Sequence, residues 1–229
     1  WVAYDLGENI LAKLRKRYDE RKIVNNFIFI IEEVKKHISS EKDRLARITF
    51  NQLIKDGELR FYVIGKEFGY HLPKEIKAKS TEPVLTRSFG DQLQLSLFDY
   101  VSANGLNEVE RAVALYLDDQ KKLFFWYRNQ SKHDYAIQGW RKQKVYADFI
   151  LATKKDENSV DKIYVVETKG QHLIGNPDSE YKESLFDLCN DLAKERTVNE
   201  LGLELENKEM RFEFIGEDEW KQRLNQIFA

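Results

Sequence analysis

Apolar residues in the first part of the chain recur at the spacing of an α-helix. Between residues 5 and 38 they form one stripe, with basic side chains between them. The first members of the stripe are Leu6, Ile10, Leu14 and Tyr18. This spacing predicts amphipathic helical structure. Ser39 or Ser40 is expected to cap a further helix that runs to about Lys55 and stops at Gly57.

The next stretch begins with a short predicted strand at residues 59–64 and then loses its regular pattern. Pro73 and Pro83 lie there among Lys, Ser, Thr and Glu residues, which is typical of a loop or linker. We therefore expect a domain boundary near residue 95. Residues 1–95 would form a mostly helical segment or connector, and residues 96–229 a second domain.

This second domain is predicted to alternate helices with strands. Asn107 and Glu110 have the spacing of a capping box, and Asn176 followed by Pro177 marks another helix start. The strands are expected at residues 123–127, 145–151, 163–168 and 211–215, and a closing helix at 220–228. The order of helix, three strands, helix, strand and helix predicts an α/β fold.

The composition excludes several classes of protein. The chain has 229 residues, 42% of them hydrophobic, which is enough to bury a core and excludes intrinsic disorder. Its 37 basic and 39 acidic side chains nearly balance, so any role with nucleic acid must rest on local basic patches. The single Cys189, with no apolar run of membrane length and no secretory signal, predicts a cytoplasmic protein. Because the chain starts at Trp1 and contains one Met, we expect it to be a fragment of a longer protein.

Common catalytic motifs are missing. The sequence has no phosphate-binding loop of the G-x-x-x-x-G-K-[ST] type, no G-x-G-x-x-G turn and no G-x-S-x-G nucleophile elbow. Its four histidines and one cysteine do not have the spacing of a zinc site. Carboxylates are therefore the remaining material for an active site.

Two carboxylates stand out by their surroundings. Asp148 lies inside an apolar predicted strand, where a charge is costly unless it is paired or binds a metal. Glu167 and Lys169 end the next predicted strand and share one face of it. If the two strands are neighbours, the carboxylates converge, and a divalent cation would relieve their repulsion. Oxygen ligands favour Mg²⁺, with Mn²⁺ as a substitute. The alternative is a salt bridge between Lys169 and a neighbouring acid.

The order of elements and the position of these residues resemble the PD-(D/E)xK nucleases. Several segments also resemble the C-terminal endonuclease region of the restriction (Res) subunit of type III restriction-modification enzymes. These segments are 106–110 (LNEVE), 126–129 (WYRN), 146–150 (YADFI), 167–170 (ETKG) and 181–182 (YK). The resemblance implies a restriction-endonuclease-like αβββαβ core with a mixed central sheet, preceded by the helical segment.

The resemblance also implies a role for each site residue. Asp148, Glu167 and Lys169 would be catalytic, with Asp148, Glu167 and the backbone carbonyl of Thr168 as Mg²⁺ ligands. Glu110 matches an acid that assists metal binding in part of the family, but its role as a capping-box partner remains an equal alternative. Ala147 stands where the family usually has proline, which weakens the signature more than the chemistry.

Basic and polar side chains near these positions are candidate contacts for DNA phosphates. They are Arg128, Asn129, Lys132, Arg141, Lys144 and Lys182. The stretch between the first two strands interleaves such residues with aromatic ones, which suits a DNA-facing loop but also any exposed hairpin. Trp126, at the end of a strand, is expected in the core.

The expected function is Mg²⁺-dependent hydrolysis of phosphodiester bonds in double-stranded DNA, in a type III restriction subunit. The resemblance implies a helicase-like ATPase motor on the missing N-terminal part of the chain and a DNA methyltransferase as partner. Three alternatives stay open. They are an inactive nucleic-acid-binding domain with a nuclease-like fold, an interaction domain with a helical docking arm, and another repair or resolvase nuclease.

Overall fold

A computed structural model describes residues 2–59, 72–79, 81–170, 175–193 and 209–229. The chain divides into two compact units, Trp1–Arg60 and Phe61–Ala229. The boundary was predicted near residue 95. The difference arises because Leu85 and Leu93, in the stretch expected to be a linker, belong to the hydrophobic core of the second unit. Within the described ranges, no helix is long and apolar enough to cross a membrane.

The first unit is helical, as predicted, but its helices are divided differently. It contains α1 (Val2–Arg15), α2 (Glu20–Asn25) and α3 (Phe27–Lys55). The predicted start at Ser39 or Ser40 is wrong, because α3 runs through both residues without a break. Helix α3 does stop where Gly57 follows, and this glycine adopts a left-handed backbone with φ of 74°. The strand predicted at residues 59–64 lies outside the described residues from residue 60 onward.

The second unit has the predicted order of elements. Its helices and strands are α4 (Glu108–Asp118), β1 (Leu123–Arg128), β2 (Phe149–Asp156), β3 (Ser159–Lys169), α5 (Pro177–Ala193), β4 (Glu209–Gly216) and α6 (Trp220–Ile227). The strands form one sheet in the order β1-β2-β3-β4. The first two pairings are antiparallel, and β4 is parallel to β3. The predicted α/β class and mixed sheet are therefore confirmed.

In the second unit, both helix starts predicted from capping signals are confirmed. The Asn107 side chain accepts a hydrogen bond from the Glu110 amide, and the Glu110 carboxylate accepts one from the Asn107 amide, each at 2.9 Å. The Asn176 side chain accepts from the amides of Asp178 and Ser179 at the start of α5. Side-chain caps satisfy amides that the first helical turn leaves without partners, which fixes where each helix begins.

Helices cover both faces of the sheet. On one face, α4 and α6 pack through Val113 and Leu224 into a core that contains Trp126 and Phe149. On the other face, α5 packs against β4, where the Phe186 and Phe212 rings meet edge to face at 5.6 Å. Trp126 is fully buried, as predicted. This layering fixes the positions of the strand ends that carry the candidate site.

Candidate active site

Asp148 and Glu167 come together where β1 and β3 end and β2 begins. Asp148 was predicted inside a strand at residues 145–151, but β2 starts one residue after it, at Phe149. Its backbone still forms hydrogen bonds to the segments on both sides of it. The Asp148 amide donates to the Val166 carbonyl at 2.9 Å, and its carbonyl accepts from the Asn129 amide at 2.9 Å. These bonds fix Asp148 beside the end of β3.

Both carboxylate oxygens of Asp148 have partners. One accepts hydrogen bonds from the Thr168 amide and the Thr168 hydroxyl, each at 2.7 Å. The other pairs with the Arg128 guanidinium at 3.0 Å. Sequence analysis assigned only the carbonyl of Thr168 to the site and missed its side chain. No pattern in the sequence signals this contact, because it depends on how β2 and β3 pair.

Glu167 is in a different situation. Its side chain is buried, with 4% of the residue exposed. One carboxylate oxygen, Oε1, pairs with Nζ of Lys182 at 2.6 Å. The other, Oε2, is buried and has no hydrogen-bond partner among the described residues. Burial and, after it, the nearby Asp148 charge raise the pKa of Glu167 to about 7, although the Lys182 and Lys169 charges lower it.

Glu110 joins this cluster from the first turn of α4. Its carboxylate caps the helix through Asn107 and also pairs with the Arg128 guanidinium at 3.0 Å. Burial raises the pKa of Glu110, Arg128 opposes this effect, and the Asp148 charge adds to it. The two interpretations of Glu110 are therefore compatible, since one side chain closes the capping box and lies next to Asp148.

Two lysines lie on the Glu167 side of the cluster. Lys182, predicted to contact nucleic acid, is bound to Glu167 and lies 4.0 Å from Asp178. Burial lowers the pKa of Lys182, but the Glu167, Asp178 and Asp148 carboxylates together outweigh it, so this pKa is raised. Lys169 is largely buried and lies 3.9 Å from the Asp178 carboxylate. The predicted alternative of a salt bridge to Lys169 is thus present in the structure, and its partner is Asp178.

Arg128 was predicted to contact phosphate and instead bridges two acids. Its guanidinium pairs with both Glu110 and Asp148, and it also donates to the Asp148 carbonyl at 2.7 Å. No sequence pattern predicts this bridge, because Glu110 and Asp148 come to Arg128 from two distant segments of the chain. In this state the arginine neutralises the acidic cluster rather than facing solvent.

The other predicted phosphate contacts are dispersed. Asn129 is 2% exposed, and its side-chain amide donates to the carbonyls of Tyr135 and Ala147, so it holds the chain together rather than facing solvent. Arg141 lies over the Tyr181 ring at 4.4 Å. Lys132 and Lys144 are exposed in the segment between β1 and β2.

The side chains at the site can be compared with those that a divalent cation needs as ligands. Within the described ranges, no group of three or more His, Cys, Asp or Glu side chains is arranged to hold a metal ion. Arg128 and Lys182 occupy the positions beside the acids that a cation would need. The free Oε2 of Glu167 nevertheless fits a hard cation, because a buried carboxylate oxygen without a donor is costly.

Comparison of the chain with protein-family models, with curated proteins and with solved structures finds no significant match.

Proposed function

We propose that the second unit is a Mg²⁺-dependent DNA endonuclease domain with the αβββαβ core of the PD-(D/E)xK nucleases. The order of elements in α4 to β4 and the mixed sheet are what this proposal requires. The proposal also requires two acids and a lysine at one end of the sheet. Asp148 lies there immediately before β2, and Glu167 and Lys169 lie at the end of β3.

One observation carries the proposal. Glu167 keeps a buried carboxylate oxygen that finds no donor among the described residues, while it is close enough to Asp148 for the two charges to repel. A purely structural acid at this depth would be expected to have both oxygens satisfied. Acids with a raised pKa in such surroundings are concentrated at catalytic and metal-binding sites.

The residues that would hold Mg²⁺ are Asp148, Glu167 and the Thr168 carbonyl, with Glu110 close by. When bound, the metal would polarise the phosphodiester and favour ionisation of a water molecule. The protein must first release the acids, so Arg128 and Lys182 have to leave them. Because both are cations, they can then pair with DNA phosphates instead, and Lys169 can stabilise charge that develops on the scissile phosphate.

A cleavage assay tests this function. Asp148→Ala, Glu167→Ala and Lys169→Ala are each expected to lower Mg²⁺-dependent cleavage of duplex DNA by at least about 100-fold, since each removes charge stabilisation at the reacting phosphate. Glu157→Ala is the matched control, because Glu157 is exposed in the turn between β2 and β3. Circular dichroism verifies that the variants fold. Undiminished cleavage in all three folded variants would refute the proposal.

Metal binding gives an independent measurement. Calorimetric titration of Mn²⁺ into the protein, with and without duplex DNA, is expected to show binding that Glu167→Ala removes. Mn²⁺ is suitable because it accepts the same oxygen ligands as Mg²⁺. Binding of equal strength in wild type and Glu167→Ala would place the metal elsewhere.

A second candidate function has an observation in its favour. Arg128 and Lys182 already form ion pairs with the three acids, as in a structural ion-pair network. In an inactive domain that binds nucleic acid or a partner protein, these ion pairs would be sufficient and the acids would need no metal. DNA affinity that is independent of Mg²⁺ and survives Glu167→Ala, without cleavage, would favour this alternative. A repair or resolvase nuclease would use the same chemistry as the first proposal.

The wider assignment rests on the sequence resemblance. A type III restriction subunit would add a helicase-like motor and a methyltransferase partner, and it would act in the cytoplasm. Cleavage that requires ATP and the methyltransferase in the full-length protein would support this assignment.

A further inference from the structure

A cavity of about 450 Å³ opens next to the candidate active site. It lies between residues 76–79 with Glu82, residues 96–105, and the end of β1 with the three residues that follow. Arg128 lines this cavity and also pairs with Asp148 at 3.0 Å. One side chain therefore borders both, so a ligand in the cavity would lie next to the proposed cleavage site.

Aromatic rings form one wall of the cavity. The rings of Phe98 and Tyr127 meet edge to face, with their centres 6.0 Å apart. Tyr127 is buried, and its hydroxyl donates to Asp134 at 2.5 Å, which fixes the ring on which Phe98 rests. Tyr100 extends the wall and donates to the Lys79 carbonyl. Rings held in place in this way offer a surface on which a planar base can stack.

The charged side chains around the cavity favour an anion. Lys77, Lys79 and Arg128 line it, with Glu82 as the acid among the lining residues. Glu82 pairs with Lys79 at 2.8 Å. Lys77 is exposed and forms no ion pair with the described residues. A phosphate group at Lys77 would thus meet a cation that has no competing carboxylate.

We propose that this cavity binds one unpaired nucleotide of a DNA strand, with the base against Phe98 and Tyr100 and its phosphate at Lys77. The volume suits a ligand of nucleotide size and is too small for a base pair with both of its backbones. This inference rests on the proposed function and specifies its substrate. The enzyme would act on duplex DNA that carries an unpaired strand next to the cleaved bond, such as a tail, a flap or a frayed end.

Fluorescence anisotropy in EDTA tests the inference without cleavage. The wild-type protein is titrated with a blunt duplex and with the same duplex carrying a single-stranded tail. We expect the tailed duplex to bind about tenfold more tightly, because one stacked base contributes on that order. Replacing the tail nucleotide nearest the duplex junction, and then each of the next ones, by an abasic residue should abolish this preference at one position.

Two protein variants identify the cavity as the site. Lys77→Ala should weaken binding of the tailed duplex about fivefold and lower the slope of log affinity against log salt by about 0.7, as expected for one phosphate contact to a single strand. Phe98→Leu keeps apolar volume but removes the ring, and it should reduce the effect of the abasic residue. Lys155→Ala, an exposed lysine near the other end of β2, is the control and should change neither value.

Failure of this inference can be distinguished from failure of the proposed function. Equal affinity for blunt and tailed duplexes would overturn the inference, as would a tail preference that both cavity variants retain. Free dTMP that competes as strongly as the tailed duplex would assign the cavity to a free nucleotide and would also overturn it. If cleavage still depends on Asp148 and Glu167 in those cases, the proposed function stands. If cleavage is absent but the tail preference depends on Lys77 and Phe98, the cavity is confirmed and the nuclease function is not.

Discussion

The second unit buries two acids in opposite ways, at Asp118 and at Glu167. Asp118, at the end of α4, is 2% exposed, and Glu167, near the end of β3, is 4% exposed. Asp118 accepts hydrogen bonds from the amides of Gln94 and Leu95 and from the Trp126 indole, each at 2.9 Å. Among the described residues, Glu167 has one lysine partner and one oxygen without a donor.

This contrast shows that burial alone does not distinguish a structural acid from a candidate catalytic one. At Asp118, two backbone amides and the Trp126 indole satisfy both oxygens and the Arg87 guanidinium lies 3.6 Å away, so the carboxylate ties residues 94–95 to α4 and β1. At Glu167, burial and the nearby Asp148 charge raise the pKa to about 7, and one oxygen has no donor among the described residues. A group that is costly to keep charged without a ligand is therefore a better candidate for function than one that is fully satisfied.

The largest effect on stability is expected at the satisfied acid. Asp118→Ala would leave three donors without their acceptor in the core, so we expect the free energy of unfolding to fall by about 3–5 kcal/mol. Asp119→Ala is the matched control, since Asp119 is the next residue and is exposed. It should cost less than about 1 kcal/mol. Urea denaturation measures both, and equal losses would contradict the structural role of Asp118.

A smaller effect, with a distinct pH dependence, is expected at Glu167. Its pKa is raised from 4.5 to about 7 in the folded protein, so between these values the folded state retains a proton that the unfolded state has lost. The free energy of unfolding should therefore fall as the pH rises through this window, by about 3 kcal/mol in total from this group. Above pH 7 this loss in the free energy of unfolding is complete, and below pH 4.5 it is absent.

Glu167→Gln cannot titrate and should lose this slope. Urea denaturation of wild type and variant at pH 4.5, 6 and 8 measures the difference between the two curves. The slope is the relevant quantity, because the substitution also removes the partner of Lys182 and shifts the whole curve. Parallel curves for the two proteins would show that Glu167 titrates normally, and the contrast with Asp118 would disappear.

The smallest effect on stability is expected at the N-terminal end of α4, where Asn107 caps the helix. Asn107→Ala removes the side-chain half of the capping box, and we expect a loss of about 1 kcal/mol in the free energy of unfolding. Asn107→Ser keeps a capping oxygen and should stay within a few tenths of a kcal/mol of wild type. A loss of several kcal/mol on Asn107→Ala would mean that the cap also holds Glu110 and Arg128 in place.

Local signals predicted much of the second unit. The capping residues Asn107 and Asn176 located the starts of α4 and α5, because a cap is a contact between residues two or three positions apart. Apolar runs located β1 and the middle of β3. The strand limits were less accurate, and β3 begins four residues before its predicted start. Strand ends are decided by pairing with a neighbour, which the strand's own residues do not specify.

Other predictions failed where a local sequence signal is compatible with two different structures. Ser39 and Ser40 resemble helix caps, but serine is also tolerated on the exposed side of a long helix such as α3. Pro73 and Pro83 suggested a linker up to residue 95. Proline only excludes regular structure, however, and Leu85 and Leu93 pack into the core without it.

The sequence by itself determined the order of helices and strands in the second unit, its helix caps, and the three residues Asp148, Glu167 and Lys169 as candidates. These features depend on residues that are close together in the chain. Only the tertiary structure decided the partners. Arg128 bridges Glu110 and Asp148, Lys182 binds Glu167, and Oε2 of Glu167 has no donor in the part of the chain that the structure describes. These contacts join residues from different elements, and their strength depends on burial, which is a property of the folded chain alone.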